Sequence, residues 1–188
     1  VPRAYQEYVS DLTPERLNRL NAKYYVIPQL LPVDRASELY DVQNPLSALP
    51  TNIWLDLADR AMGMQVVEIE IESYLSHAAD LPDGYLAAEV LFRDEQGNEL
   101  AIPLRAGIET SEWAYDRDDV RVAVAHRAAP VATTWPARSG FPPREHVGHT
   151  YLSRQRLQAP LRPTALMLRP AIDEAFVRVE RIRLRDAA

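Results

Sequence analysis

Val67-Glu68-Ile69-Glu70-Ile71-Glu72 decides the fold class. Three apolar side chains alternate with three carboxylates. That period of two predicts a strand with one face on a core and the other in water. The pattern continues to Ser76. Downstream, Tyr85–Arg93 and Glu99–Leu104 flank Asp94-Glu95-Gln96-Gly97-Asn98, which reads as a β-hairpin closed at the Gly-Asn pair.

Further strands are expected at Ile53–Leu57, at Val120-Arg121-Val122-Ala123-Val124, from Thr150 to Leu157 and from Ala165 to Leu168. The last is Phe176–Leu184, where the apolar parity changes near Glu180. A β-bulge at Glu180-Arg181 would return Val177, Val179, Ile182 and Leu184 to one face. The stretch 128–148 carries Pro130, Pro136, Pro142 and Pro143 and reads as loop. Seven or eight short strands with turn residues between them predict a mainly β chain, a jelly-roll-like β-sandwich over 51–188.

Residues 1–50 differ in character. Thr13-Pro14-Glu15 has the makings of a helix start, with Leu12, Leu17 and Leu20 as its apolar stripe. Lys23–Ile27 follows as a short strand stopped by Pro28, and a second helix is expected from Asp34 to Tyr40. We therefore expect a small α/β appendage at 1–50, docked on the sandwich. Val1-Pro2 lacks an initiator Met, so a piece of a longer protein is expected.

With 188 residues the chain can bury a substantial core without metal or disulfide. Its 27 acidic against 21 basic residues give a net charge of −6, which argues against a nucleic-acid or anionic-membrane surface. There is no cysteine, so thiolate catalysis and Cys-ligated zinc are excluded. No run of 18 apolar residues exists to span a bilayer.

The metal candidates are His126, His146 and His149, with Glu145 beside the His-x-x-His pair. That pair lies in proline-rich sequence without the helical spacing of hydrolytic zinc sites, so a structural role is the plainer reading. Asp116, Asp118 and Asp119 lack the glycine and distal glutamate of an EF-hand loop. Glu109 and Glu112 are the acids that a glycoside hydrolase reading would use. With 27 carboxylates in the chain, their proximity alone is weak support. No serine occupies a nucleophile elbow and no glycine-rich phosphate loop exists. Neither a cofactor nor a catalytic set is expected. The ligand-binding candidates are Trp113, Tyr115, Trp135 and Tyr151 with Glu112, because exposed aromatic faces stack on sugar rings or seat a partner. Burial in the core is the competing reading for Trp113 and Tyr151.

Leu17–Ile27 resembles the segment that joins a leucine-rich helix to an Asn-x-Lys-Tyr-x-hydrophobic strand in large bacterial multi-pass membrane proteins. Those proteins are similar to the lipid-linked-sugar glycosyltransferases. Pro103–Trp113 with Gly148-His149-Thr150-Tyr151 resembles the soluble sandwich that trails such membrane regions. Arg181–Asp186 is similar to the last strand of galactose-binding-like jelly rolls. The resemblance implies an extracytoplasmic position, tethered through a parent chain, with glycan or the parent's membrane-embedded part as partner. It also implies a non-catalytic role, because the acidic catalytic residues of that family lie in membrane-proximal loops that nothing here matches. The other readings are a carbohydrate-active hydrolase and a protein-interaction module using an edge strand and Trp135.

Overall fold

The computed structural model describes residues 36–41, 51–57, 61, 63–172 and 176–187. All of them fall within the unit Leu31–Ala188. The chain is mainly β, with nine strands among the described residues: β1 Ala36–Asp41, β2 Leu55–Asp56, β3 Val66–Ser76, β4 Leu86–Asp94, β5 Glu99–Arg105, β6 Val131–Ser139, β7 Arg144–Leu161, β8 Pro163–Pro170 and β9 Phe176–Asp186. One short helix, α1, spans Asp118–Arg121. No helix among these residues is long and apolar enough to cross a membrane.

The strands form two antiparallel sheets, in the orders β1-β9-β3-β7-β6 and β2-β8-β4-β5. The pairings nest. The β4–β5 hairpin lies within the β3–β7 pair, that within β2–β8, and all of them within β1–β9. Only β6 stands outside this scheme, as an extra edge strand on β7.

The core lies between the sheets. Ile69, Ile71, Val179, Ile182 and Leu184 meet Ala88, Val90, Phe92, Ile102, Leu104, Leu166 and Leu168 in one buried cluster. Full burial of each large side chain stabilises by roughly 1.5–3 kcal/mol. Two bulges keep this face apolar. The β3–β9 register slips between Glu72 and Ser73, so Glu180 is the extra residue, where the parity change placed it. A second slip of the same pair between Val66 and Glu68 makes Val67 the extra residue against β9, and Val66 rather than Val67 enters the core.

Beneath the other face of β3, Glu68, Glu70 and Glu72 are nearly covered by arginines of both neighbouring strands. Arg154 of β7 reaches Glu70 at 2.6 Å, and Arg185 of β9 reaches Glu68 at 3.3 Å. Arg181 and Arg183 of β9 lie 3.6 and 3.8 Å from Glu72 and Glu70. Glu72 also accepts hydrogen bonds from the hydroxyls of Thr133 and Thr150.

Three expectations are corrected. Residues 36–40 are not helical but part of β1, whose register sets Glu38 opposite Arg183 and Asp41 opposite Arg181. Opposite charges across a strand pair favour that pairing. The remainder of the expected appendage lies outside the described residues. Val120–Val124 is a helical turn rather than a strand. Val124 N–H donates to the Val120 carbonyl at 2.8 Å, Val122 is exposed, and Asp118 and Asp119 favour a helix start. Finally, 128–148 is largely a β-hairpin. Pro136 is tolerated because β6 is an edge strand whose outer N–H positions need no partner, and Pro142 and Pro143 occupy the turn.

Glu70 ties β3 to both neighbours and is itself almost fully buried, whereas Glu99 pairs with Arg93 at an open surface. Replacing Glu70 by Ala should lower unfolding stability by about 1–2 kcal/mol, reduced from a fully buried pair because the arginines are half exposed. Glu99→Ala should leave the urea midpoint nearly unchanged. Equal midpoints for the two variants would show that the Glu70 contacts contribute nothing.

Candidate functional site

β3 and β7 run side by side from Val66↔Leu161 to Ser73↔Tyr151 and then part. The segment Ser111–Trp113 fills the gap. Leu75 N–H donates to Ser111 O and Trp113 N–H to Leu75 O, both at 2.8 Å, while His149 N–H donates to Trp113 O at 3.0 Å. The inserted segment thus satisfies backbone groups on both sides, as buried edges require. Alternation along it sends Glu112 inward and Trp113 outward.

On the outer face four rings follow one another. Tyr74 of β3 lies 6.2 Å from Trp135 of β6, between ring centroids. Trp135 is parallel to Trp113 within 4°, at 6.1 Å, and His146 of β7 is 5.1 Å from Trp113. Offset parallel and tilted arrangements are the favourable ones for such rings. Trp135 lies across its cross-strand partner Gly148, where a Cβ would stand 2.5 Å from the indole. Glycine is required there by that close approach, the aromatic covering the backbone that the missing side chain leaves bare. Both tryptophans remain half-buried, so part of each ring meets solvent. Burial pushes the Tyr74 hydroxyl above its ordinary pKa, opposed by the nearby Arg178 guanidinium.

Polar groups continue the strip towards the hairpin tip. Ser139 Oγ is 2.8 Å from His146 Nε2 and accepts from Arg117 Nη1 at 2.7 Å, and Asp119 holds Arg117 Nε at 2.7 Å. A shallow depression of about 620 Å³ runs along the hairpin, lined by Trp135, Ala137, Arg138, Glu145 and His146 among others. This arrangement offers flat apolar faces with hydroxyl, imidazole and guanidinium groups beside them, which suits a polyhydroxylated ring.

The remaining candidates are placed elsewhere. Tyr151 is fully buried and donates its hydroxyl to Glu112 O at 2.8 Å; burial raises its pKa, helped by the Asp116 and Glu112 carboxylates. Tyr115 donates to His126 O at 3.1 Å. The three histidines do not converge. His126 is buried, with Nε2 accepting from Glu112 N–H at 3.2 Å and Nδ1 2.9 Å from Leu81 O, a pairing that requires the neutral ring protonated on Nδ1. His149 Nε2 faces Asp116 at 2.8 Å, and its Nδ1 is buried without a partner among the described residues. Those residues contain no group of three His, Cys, Asp or Glu that could hold a metal ion. Glu109 grips Arg105 through both carboxylate oxygens, at 2.6 and 3.0 Å. Glu112 accepts from Ala78 N–H at 2.9 Å in the interior.

Tyr74, Gly148, Arg117 and Ser139 are the residues that sequence reasoning missed. Tyr74 was within reach, since it shares the parity of Glu68, Glu70 and Glu72. Gly148 carries no signal until its opposition to Trp135 is known.

Burial raises the Glu112 pKa, only partly offset by the N–H groups of Ala78 and Ala114. A carboxyl that holds its proton more tightly when folded weakens the fold as pH rises from its unfolded value through its raised one. Glu112→Gln keeps an acceptor for Ala78 and removes the charge. It should therefore be more stable than wild type near neutrality, and the gap should close at pH below about 4. Melting curves that stay parallel from about pH 4 to pH 8 would refute this. His126→Ala strands the Glu112 N–H and the Leu81 carbonyl, and should cost about 1–3 kcal/mol in denaturant unfolding.

Comparison of the chain with protein-family models, with curated proteins and with solved structures returns no match.

Proposed function

We propose that this chain is a glycan-binding or glycan-positioning module of a larger membrane-bound protein. In this reading it lies on the extracytoplasmic face of a bacterial membrane and carries no reaction centre of its own. The fold we assign is a jelly roll of the galactose-binding-like kind. Nested pairing of β1–β9, β2–β8, β3–β7 and β4–β5 supports that assignment, with β6 as an addition to one edge. The sequence resemblance to soluble regions that follow membrane glycosyltransferases supports the setting.

The observation that carries the reading is the strip Tyr74–Trp135–Trp113–His146 on an open sheet face. Tryptophan faces aligned within 4° suit the apolar face of a pyranose, and the hydrogen-bonded chain His146–Ser139–Arg117 lies beside them. Glu109 is held on Arg105 and the buried Glu112 on Ala78, contacts that fit structural roles for both.

A glycan array followed by calorimetry tests the binding role. A ligand found there should lose at least about tenfold in affinity with Trp135→Ala, roughly 1.4 kcal/mol. Gly148→Ala should weaken binding too, by displacing the indole from its seat. Silence on both array and calorimeter would leave only a scaffold role.

A further inference from the structure

We infer that the outer face of the five-stranded sheet takes an acidic polysaccharide, one whose sugars carry carboxylate or phosphate groups. This rests on the glycan-binding reading above and names its ligand class. Two successive rows on that face hold twice as many guanidiniums as carboxylates. Arg156 and Arg185 are the register partners of Glu68, and Arg154 and Arg183 are those of Glu70. The carboxylates lie underneath: the Glu68 and Glu70 side chains are 14% and 5% exposed, against 54% for Arg154 and 55% for Arg185. Solvent therefore meets cations. A guanidinium that spends one edge on a buried carboxylate keeps other N–H groups for an outer oxyanion, in the fork geometry that matches carboxylate and phosphate.

Charges on the flanking elements narrow the patch. On β1, Glu38 stands opposite Arg183 and Asp41 opposite Arg181, while Glu180 pairs with Arg178 at 2.9 Å. The excess thus centres on Arg154, Arg156 and Arg185. Arg156 is exposed and forms no ion pair among the described residues. A positive patch in a chain of net charge −6 has the opposite sign to its surroundings, so anions are attracted at this patch and not over the rest of the surface. Along β3 the same face runs from Glu68 through Glu70 and Glu72 to Tyr74, where the ring strip begins. A polymer lying across it would set its acid groups on the arginines and its ring faces on the tryptophans.

Polygalacturonate and its fully methyl-esterified form share a backbone and differ in charge, so their comparison is the test. By affinity electrophoresis and calorimetry the free acid should bind about tenfold more tightly than the ester at low salt, with the difference shrinking as salt rises. Arg156→Gln should reduce the preference without loss of folding, and Arg154→Gln with Arg156→Gln should abolish it. Glu68→Gln should enlarge it, an opposite sign that a merely destabilised sheet would not produce. Equal binding of acid and ester overturns this inference and leaves the glycan reading standing. Binding to neither polymer, or to anionic phosphatidylglycerol vesicles or single-stranded DNA alone, also overturns this inference, and the glycan reading then stands or falls on the array.

Discussion

The ion-pair row on β3 is the constraint that the rest of the sheet depends on. A central strand with hydrocarbon on one face and covered carboxylates on the other needs donors from both sides, and here most of them are cations. Arg154 comes from β7, and Arg181, Arg183 and Arg185 come from β9. A one-residue slip of either neighbour would turn these arginines into the core and strand the carboxylates, so charge and hydrophobic register enforce each other. The Glu180 bulge belongs to the same logic: it lets β9 keep its apolar side inward on both halves of its length while still meeting Glu72 with Arg181.

Where that row ends, the sheet changes character. β3 and β7 separate beyond Ser73, and the wedge of Ser111–Trp113 between them holds one tryptophan at the surface and one carboxylate in the interior. Groups below the wedge fix it. Tyr151, His126 and Ala78 each bond to Glu112, through its carbonyl, its N–H and its carboxylate respectively. Several residues that look chemically active in the sequence thus serve to hold the backbone that presents Trp113. The buried histidine and the buried acid are two of them.

The parts of this arrangement that were legible in the sequence are those written locally. Alternation marked β3, the Asp94–Asn98 turn marked the β4–β5 hairpin, and a change of parity marked the bulge in β9. Prolines misled at 128–148, because proline is compatible with an edge strand as well as with a loop, and nothing local says which strand will be an edge. Val120–Val124 misled because three valines at alternate positions also place two of them four apart. The aromatic strip was half visible: Trp113 and Trp135 stood out by type, but their meeting is set by long-range pairing that no spacing encodes. His146 stands out in the sequence as a metal candidate, and its ring contact with Trp113 likewise depends on that pairing.

Trp113 belongs to the wedge and Trp135 to the added hairpin, while Tyr74 belongs to the central strand. Their contact exists only when three remote stretches have docked. The parallel indoles are therefore a built-in optical gauge: exciton coupling between their strong far-ultraviolet transitions reports closure of this corner separately from the rest of the sandwich.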